Sequence, residues 1–357
     1  MRRCYFSELS DIFLCYFFQN HILSFKKCYN GFVKKKVYIG IDVGGTKISG
    51  ALISSRGAIL ARRKIPSPKN GRSQAVVNAL CALIQELRAT PQAKKHKCSG
   101  IGIGIPGVVD LARRNIIKTP NIDLSGVPLS SLLGKKFRTK VLLENDVNLG
   151  TLGEKAFGAA RRARHVVGLF PGTGIGGGLI LDGKLFGGAH GAAGEIGHMV
   201  MDLNGPLCGC GHHGCLEALA SRWAIERDIR QALRQHKKTV LKKLIKDKRA
   251  PIKSGLLKEA LKRKDPLTRK ILSKKAQVLG SACINLRRLV DPEMIVLGGG
   301  LIEACGGFML PIIRKTVAAD RFFKKLKPCP VVAAALGDDA ILKGAAALFT
   351  QRPLTRG

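Results

Sequence analysis

The chain has 357 residues, 45% of them apolar, with 61 Lys and Arg against 24 Asp and Glu, a formal charge of +37. That length supports two domains with cores of their own, and that apolar content excludes a disordered chain. Aromatic residues make up only 5%, too few for a base-stacking platform, so the charge reads as a basic bias on solvated faces that would draw in anions. No specific nucleic-acid partner is expected. Eleven cysteines, an odd number and irregularly spaced outside 208–215, exclude a disulfide scaffold and indicate reduced thiols in a cytoplasmic protein.

Residues 1–35 read as an N-terminal extension, disordered or dispensable. Their apolar run from Ile12 to Phe18 is too short to span a membrane. VYIGIDVGGTKISGALI (37–53) reads as strand, Gly-Gly turn, strand, and RGAILARRKIP continues the meander. From Ser73 to Ala89 the spacing predicts a helix, with Val76, Val77, Leu80, Ile84 and Leu87 on one side. GIGIGIPGVVD (100–110) and KVLLENDVN (140–148) read as buried strands, and a helix is expected from Thr151 to Ala160. At Arg164 the pattern restarts: HVVGLFPGTGIGGGLILDGKLF is again strand, Gly-rich turn, strand. This weak internal repeat predicts two related α/β domains. Residues 217–290 read mostly as helix. Between 226 and 275 there are 19 Lys and Arg against five Asp and Glu, with Leu241, Leu244, Leu256, Leu257 and Leu261 recurring, the pattern of an amphipathic solvated face. DPEMIVLGGG (291–300) is a strand ending in glycines, and the tail from Asp338 reads as a closing helix.

Three glycine-rich turns suit phosphates. Asp42 offers a carboxylate for Mg²⁺, Gly44 and Gly45 offer unobstructed amides, Thr46 a hydroxyl, and Lys47 follows. Gly172, Thr173 and Gly174 repeat the amide-and-hydroxyl combination, and Gly298, Gly299 and Gly300 give a third close approach. Facing one cleft, such loops would hold a triphosphate. Asp146 ends a buried strand, where a general base facing a cleft is expected; the alternative role there is a helix N-cap.

Cys208, Cys210 and Cys215 have the spacing C-x-C-x4-C, with glycines at 209, 211 and 214. Thiolates at that density in a reducing compartment favour a structural Zn²⁺. The fourth ligand comes from His198, His212 or His213, of which His198 would tie two separate segments together. Glu195 and Glu217 flank the cluster. Two carboxylates held rigid by one metal suit the vicinal hydroxyls of a sugar.

With DVGGTK, GIGIPGVVD, LENDVN, GTGIGGGLILDGKLFGGAHGAAGEIGH, CGCGHHGCLE, DPEMIVLGGG and ALGDDAILKGAA in view, the chain from about Lys36 to Phe349 resembles the ROK family of sugar kinases, most of all its zinc-containing, ATP-dependent bacterial glucokinases. The resemblance implies a two-domain actin-like ATPase (ribonuclease H-like) fold with an interdomain cleft. Its smaller α/β domain would be 36–148 plus 338–357, and its larger one, with the zinc site, 149–337. It implies Asp146 as base for the 6-hydroxyl of a hexose, and Asn145, Glu195, His198 and Glu217 on the other hydroxyls, with Asn121 and Gly107 helping. His198, Cys208, Cys210 and Cys215 would hold zinc. Gly45, Thr46, Lys47, Thr173 and Gly174 would meet the phosphates of ATP, and the Gly298 run its adenosine. Glucose is the expected hexose, with fructose, mannose, N-acetylmannosamine and N-acetylglucosamine as alternatives, and a homodimer or homotetramer is expected. PNIDLSGVPL (120–129) departs from the family's tryptophan-bearing loop, which leaves the sugar's identity open. Some ROK members are sugar-responsive repressors with a longer N-terminal DNA-binding module than the 36 residues before the kinase-like part; Asp146 argues for catalysis.

Overall fold

A computed structural model of the chain describes residues 34–68, 73–119, 124–247 and 249–350. The expectations for residues 1–33 and for Asn121 lie outside the described residues.

β1 (Lys36–Val43), β2 (Lys47–Ser54) and β3 (Ile59–Pro66) form the expected meander, followed by α1 (Ser73–Ala89) at the expected residues. β4 (Lys97–Ile105), a small ribbon of β5 (Val108–Val109) and β6 (Ile116–Lys118), α2 (Leu129–Phe137) and β7 (Val141–Asn145) complete the first half. Its sheet has the order β3-β2-β1-β4-β7. β1, β2 and β3 pair antiparallel; β1, β4 and β7 pair parallel. The continuous apolar runs of β1 and β4 are buried on both faces, as central parallel strands require, whereas β3 is the exposed edge.

The second half repeats this plan. β8 (Val166–Pro171), β9 (Ile175–Leu181), β10 (Lys184–Leu185), β11 (Met294–Leu297) and β12 (Val331–Ala333) form a sheet in the order β10-β9-β8-β11-β12 with the same polarities. The internal repeat read from the sequence is thus a repeat of topology. Between β10 and β11 come α4 (Leu216–Ala220), α5 (Arg222–Arg234), α6 (Ser254–Lys262) and α7 (Pro266–Val290). Leu241 and Leu257 of the basic segment are buried, and Leu244, Leu256 and Leu261 pack against the same core, leaving most of the charges outside; Lys275 is buried against Asp228, and Asp265 is buried as the cap of α7. α8 (Gly300–Ala318), which the sequence reading passed over, covers β8 and β12.

Two helices join the halves. α3 (Asp146–Phe157) leaves the first sheet but packs on the second, with Leu149 and Leu152 against Val166 and Ile180. α9 (Ala340–Ala347) leaves the second sheet and packs on the first, with Leu342 and Ala346 against Tyr38, Ala51 and Ile53. The helices also touch each other closely: a methyl group added at Gly344 would sit 1.9 Å from Leu149 O. α3 begins five residues before the expected Thr151 and ends at Phe157, short of Ala160. The reason is local: Asn145 Oδ1 accepts from Val147 N at 2.9 Å and Asn148 N at 3.0 Å, capping the helix directly at the end of β7.

Candidate active site between the two sheets

Where α3 and α9 begin, a cleft of about 270 Å³ opens between the halves. Of the expected residues, Asp42, Lys47, Asp146, Gly299 and Gly300 line it. Gly298 does not: it is buried at the end of β11, where a methyl group would lie 2.5 Å from the Phe170 ring. Its role is packing, and the close approach to the cleft falls to Gly299 and Gly300.

The β1–β2 turn is held by Gly44 N donating to Lys47 O at 3.0 Å and by Ser67 N donating to Thr46 O. Gly45 and Thr46 are exposed, and space around Gly45 is open. The β8–β9 turn is fastened from below. Arg222 N donates to Gly172 O at 3.0 Å, and Arg222 Nη2 donates to Thr173 Oγ1 at 2.8 Å. Gly174 leaves room for Glu217, whose Oε2 accepts from Ile175 N at 2.8 Å. Glu217 sits in the first turn of α4, directly after Cys215, so this glutamate links the cysteine loop to the second turn.

Asp146 is the first residue of α3, half-buried in the cleft. Burial, opposed by the backbone amide of Val147 and reinforced by the charge of Glu195, pushes its carboxyl above the usual range. Asp42 is raised to about 6, by burial first and then by the charges of Asp146 and Asp338, with Lys47 opposing. Carboxylates crowded in this way are short of cations, and a divalent ion beside Asp42 fits that deficit. Glu144, on the buried strand end, accepts from Arg113 Nε at 2.9 Å and Asn148 Nδ2 at 3.0 Å and so is structural. Asn145 caps α3 and donates from Nδ2 to Gly107 O at 2.9 Å, which leaves one N–H for a ligand. Gly107 takes φ +123°, and a side chain there would strike Lys118 O.

His198, Cys208, Cys210 and Cys215 bring one ligand atom each within 4.8 Å of one another. Cys210 Sγ lies 3.6 Å from Cys215 Sγ, and Cys208 Sγ lies 3.7 Å from His198 Nδ1. A tetrahedral zinc with bonds of about 2.3 Å has ligand edges of about 3.8 Å, so the donor set fits that ion. His213 is engaged elsewhere, its Nδ1 3.0 Å from Gly205 O. His212 Nδ1 stands 3.8 Å from Cys210 Sγ, and hydrogen bonds from His212 pull that thiol down to about 6. Glu195, His198 and Glu217 lie outside the cleft lining, Glu195 being tied to it by its charge on Asp146.

Four further charged residues line the cleft that sequence reasoning did not select: Arg62, Lys64, Glu303 and Asp338. The first two carried a legible signal, since alternation along β3 puts them on one face. Glu154, fully buried, accepts from Ala335 N and Leu336 N and clips α3 to the segment leading into α9.

The ROK family model matches residues 38–352. The chain belongs to the ROK family. It is 34% identical over 316 residues to a glucokinase of Thermotoga maritima, covering 88% of this chain and 97% of that protein. The crystal structure of a ROK family glucokinase from Streptomyces griseus, in complex with glucose and AMPPNP, matches with a TM-score of 0.75 at 33% identity, covering 87% of this chain and 98% of that one. A xylose repressor of Caldicellulosiruptor bescii is 30% identical over 315 residues, 87% of this chain and 77% of that protein. The ROK member described here thus has the actin-like ATPase fold of the family's sugar kinases, with two repeated sheets and a cleft between them. Among its described residues no helix is long and apolar enough to cross a membrane.

Proposed function

We propose that the protein transfers the terminal phosphate of ATP to the 6-hydroxyl of a hexose, with glucose the leading substrate. The observation that carries this is Asp146: a half-buried carboxylate at the start of α3, in the same cleft as Asp42, Lys47 and the Gly299–Gly300 approach.

Asp146 accepts the proton of the 6-hydroxyl as that oxygen attacks the γ-phosphorus. The new O–P bond forms as the bond to the β-phosphate oxygen breaks, and ADP leaves in line. The raised affinity of Asp146 for a proton, which follows from its burial, makes it a better acceptor than an exposed carboxylate. Asn145, Glu195, His198 and Glu217 hold the remaining hydroxyls, with Gly107 and Asn121 helping. Thr46, Lys47 and the amides of Gly45 and Gly174 receive the phosphates, with the Thr173 hydroxyl held in place by Arg222, while the amides of Gly44 and Gly172 close their own turns and shape them. Gly299 and Gly300 border the nucleoside. Asp42 would hold Mg²⁺, which when bound neutralises charge on the phosphate oxygens.

His198, Cys208, Cys210 and Cys215 would hold zinc as a staple with no open coordination position. His198 has two ring nitrogens, so Nδ1 serves the thiols and Nε2 a sugar hydroxyl. The lobes 36–148 with 338–357 and 149–337 close on the sugar and exclude water from the phosphate. The enzyme works in the reducing cytoplasm as a homodimer or homotetramer. The repressor relative supports a second reading, a sugar-responsive regulator, against which the presence of Asp146 in the cleft weighs.

The test is an ADP-release assay with glucose, mannose, fructose, N-acetylglucosamine and N-acetylmannosamine, each with ATP or polyphosphate. Glucose with ATP is expected to give the highest kcat/KM. A higher value for another hexose moves the substrate; turnover with none of the five refutes the kinase.

A further inference from the structure

β3 is an edge strand with three consecutive cations, Arg62, Arg63 and Lys64. Alternation sends them to opposite faces. Arg63 pairs with Glu86 of α1 at 3.7 Å, on the side of the sheet that the helix covers. Arg62 and Lys64 line the cleft instead, opposite Ala51 and Ser49 of β2, and Ser49 and Lys47 line it with them. Three cations from two strands therefore share one wall.

Their partners come from across the cleft, from the turn Gly337–Asp339 that leads into α9. Arg62 Nη2 donates to Asp339 Oδ1. Asp338 Oδ2 lies 3.6 Å from Lys47 Nζ and 4.0 Å from Lys64 Nζ. The Asp338 side chain is 66% exposed and its two lysines 52% and 46%, so these are loose, exchangeable pairs worth little as structural ties. One carboxylate oxygen between two lysines offers them the negative charge and the acceptor that a phosphate oxygen also offers. Glu303, in the first turn of α8, lines the same cleft with its carboxyl raised by burial and by Asp338, so acidic charge is crowded there when the lysines have no other anion to hold.

We propose that Arg62 and Lys64 form, with Lys47, a cationic seat for the terminal phosphates of the donor, and that Asp338 is a built-in stand-in which the two lysines leave when the phosphates arrive, while Arg62 keeps its hold on Asp339. The identity of the donor rests on the kinase reading above; the anion seat itself does not. The exchange trades weak, solvated pairs for charge-assisted hydrogen bonds to a polyanion.

The experiment is calorimetric titration with inorganic tripolyphosphate in EDTA, which removes nucleoside and metal from the question. The native protein is expected to bind it. Arg62→Gln with Lys64→Gln should weaken binding tenfold or more, the order expected for losing charge-assisted hydrogen bonds. Asp338→Asn should strengthen it about threefold, the opposite sign, which a misfolded variant cannot mimic. KM for Mg-ATP should move with these values while KM for the hexose stays fixed. Unchanged tripolyphosphate affinity in the double variant, or weaker binding by Asp338→Asn, overturns the seat and makes these residues struts between the lobes. If no hexose is turned over but tripolyphosphate binding follows these residues, the seat stands and the kinase reading falls. If a hexose is phosphorylated and the double variant is unaffected, the kinase reading stands and the seat falls.

Discussion

In the first sheet, the hairpin between β1 and β2 brings Asp42 and Lys47 to the cleft, and the neighbouring edge strand adds Arg62 and Lys64. In the second sheet, the equivalent hairpin between β8 and β9 carries Gly172, Thr173 and Gly174, with no ionisable side chain. Its anchoring residues, Arg222 and Glu217, come from helices inserted after the sheet's third strand, β10. One topology used twice therefore supplies two loops of matching shape, and the division of labour comes from what was added to each. The first half manages charge. The second offers amides and a hydroxyl, and joins them through Glu217 to the cysteine loop. A kinase needs both kinds of loop, because the phosphates require cations and the sugar requires fixed acceptors.

Asp146 belongs to neither hairpin; it sits where the first sheet hands the chain to the second. Asp146→Asn should lower kcat by roughly 100-fold or more, the usual cost of losing a general base, while glucose affinity measured by calorimetry changes little. Loss of affinity in proportion would make Asp146 a sugar ligand only. Next in size is a test of the repeat itself. A methyl group at Gly40 of β1 would meet Leu342 O, a backbone atom, at 2.2 Å, whereas one at Gly168 of β8 would meet Thr151 Oγ1, a side-chain atom that can give way at the cost of its hydrogen bond to Val147 O. Gly40→Ala should cost about 2–3 kcal/mol in denaturant unfolding and Gly168→Ala about 1 kcal/mol; equal costs would mean that both helices yield alike.

Cys210→Ser tests whether the second half depends on a metal held by its cysteine loop. Metal content should fall, and KM for glucose should rise roughly tenfold as Glu217 loses its anchor; native metal content with native KM would leave the loop without that role. The smallest effect concerns the charge held by the first half. Asp42 in the folded protein binds its proton up to about pH 6, above an unfolded carboxyl. Its ionisation therefore opposes folding increasingly as pH rises from about 4 to about 6, and constantly above that. In EDTA, Asp42→Asn should melt a few degrees above the native protein at pH 8 and level with it near pH 4. The same substitution should abolish stimulation by Mg²⁺. A lower melting point at pH 8 would place Asp42 in a stabilising ion pair instead.

Much of this was legible along the chain because it is local. Each strand–glycine turn–strand unit declares itself in about 17 residues, Ser73–Ala89 has its full apolar stripe, and the glycine-spaced cysteines form a loop on their own. What escaped depends on contacts across the fold. Asn145 caps α3 and so moves its start to Asp146, which the apolar spacing from Thr151 onward does not reveal. Gly298 faces a phenylalanine from β8, and its missing side chain makes room for that ring. Arg62 and Lys64 look like ordinary edge-strand charges until the turn before α9, more than 270 residues later, comes to meet them. Glu154, a charged residue within the expected helix, is fully buried and accepts from three backbone amides, those of Ala159, Ala335 and Leu336.

The most direct measurement is where the phosphate goes. Native protein incubated with Mg-ATP and glucose, followed by phosphorus and carbon NMR, should give one sugar product esterified at the C6 oxygen, with one ADP per product, and Asp146→Asn at equal concentration should give about one hundredth of it or less in the same time. ADP without sugar phosphate, an ester at another oxygen, or equal product from the variant would contradict the assignment of this cleft and its base.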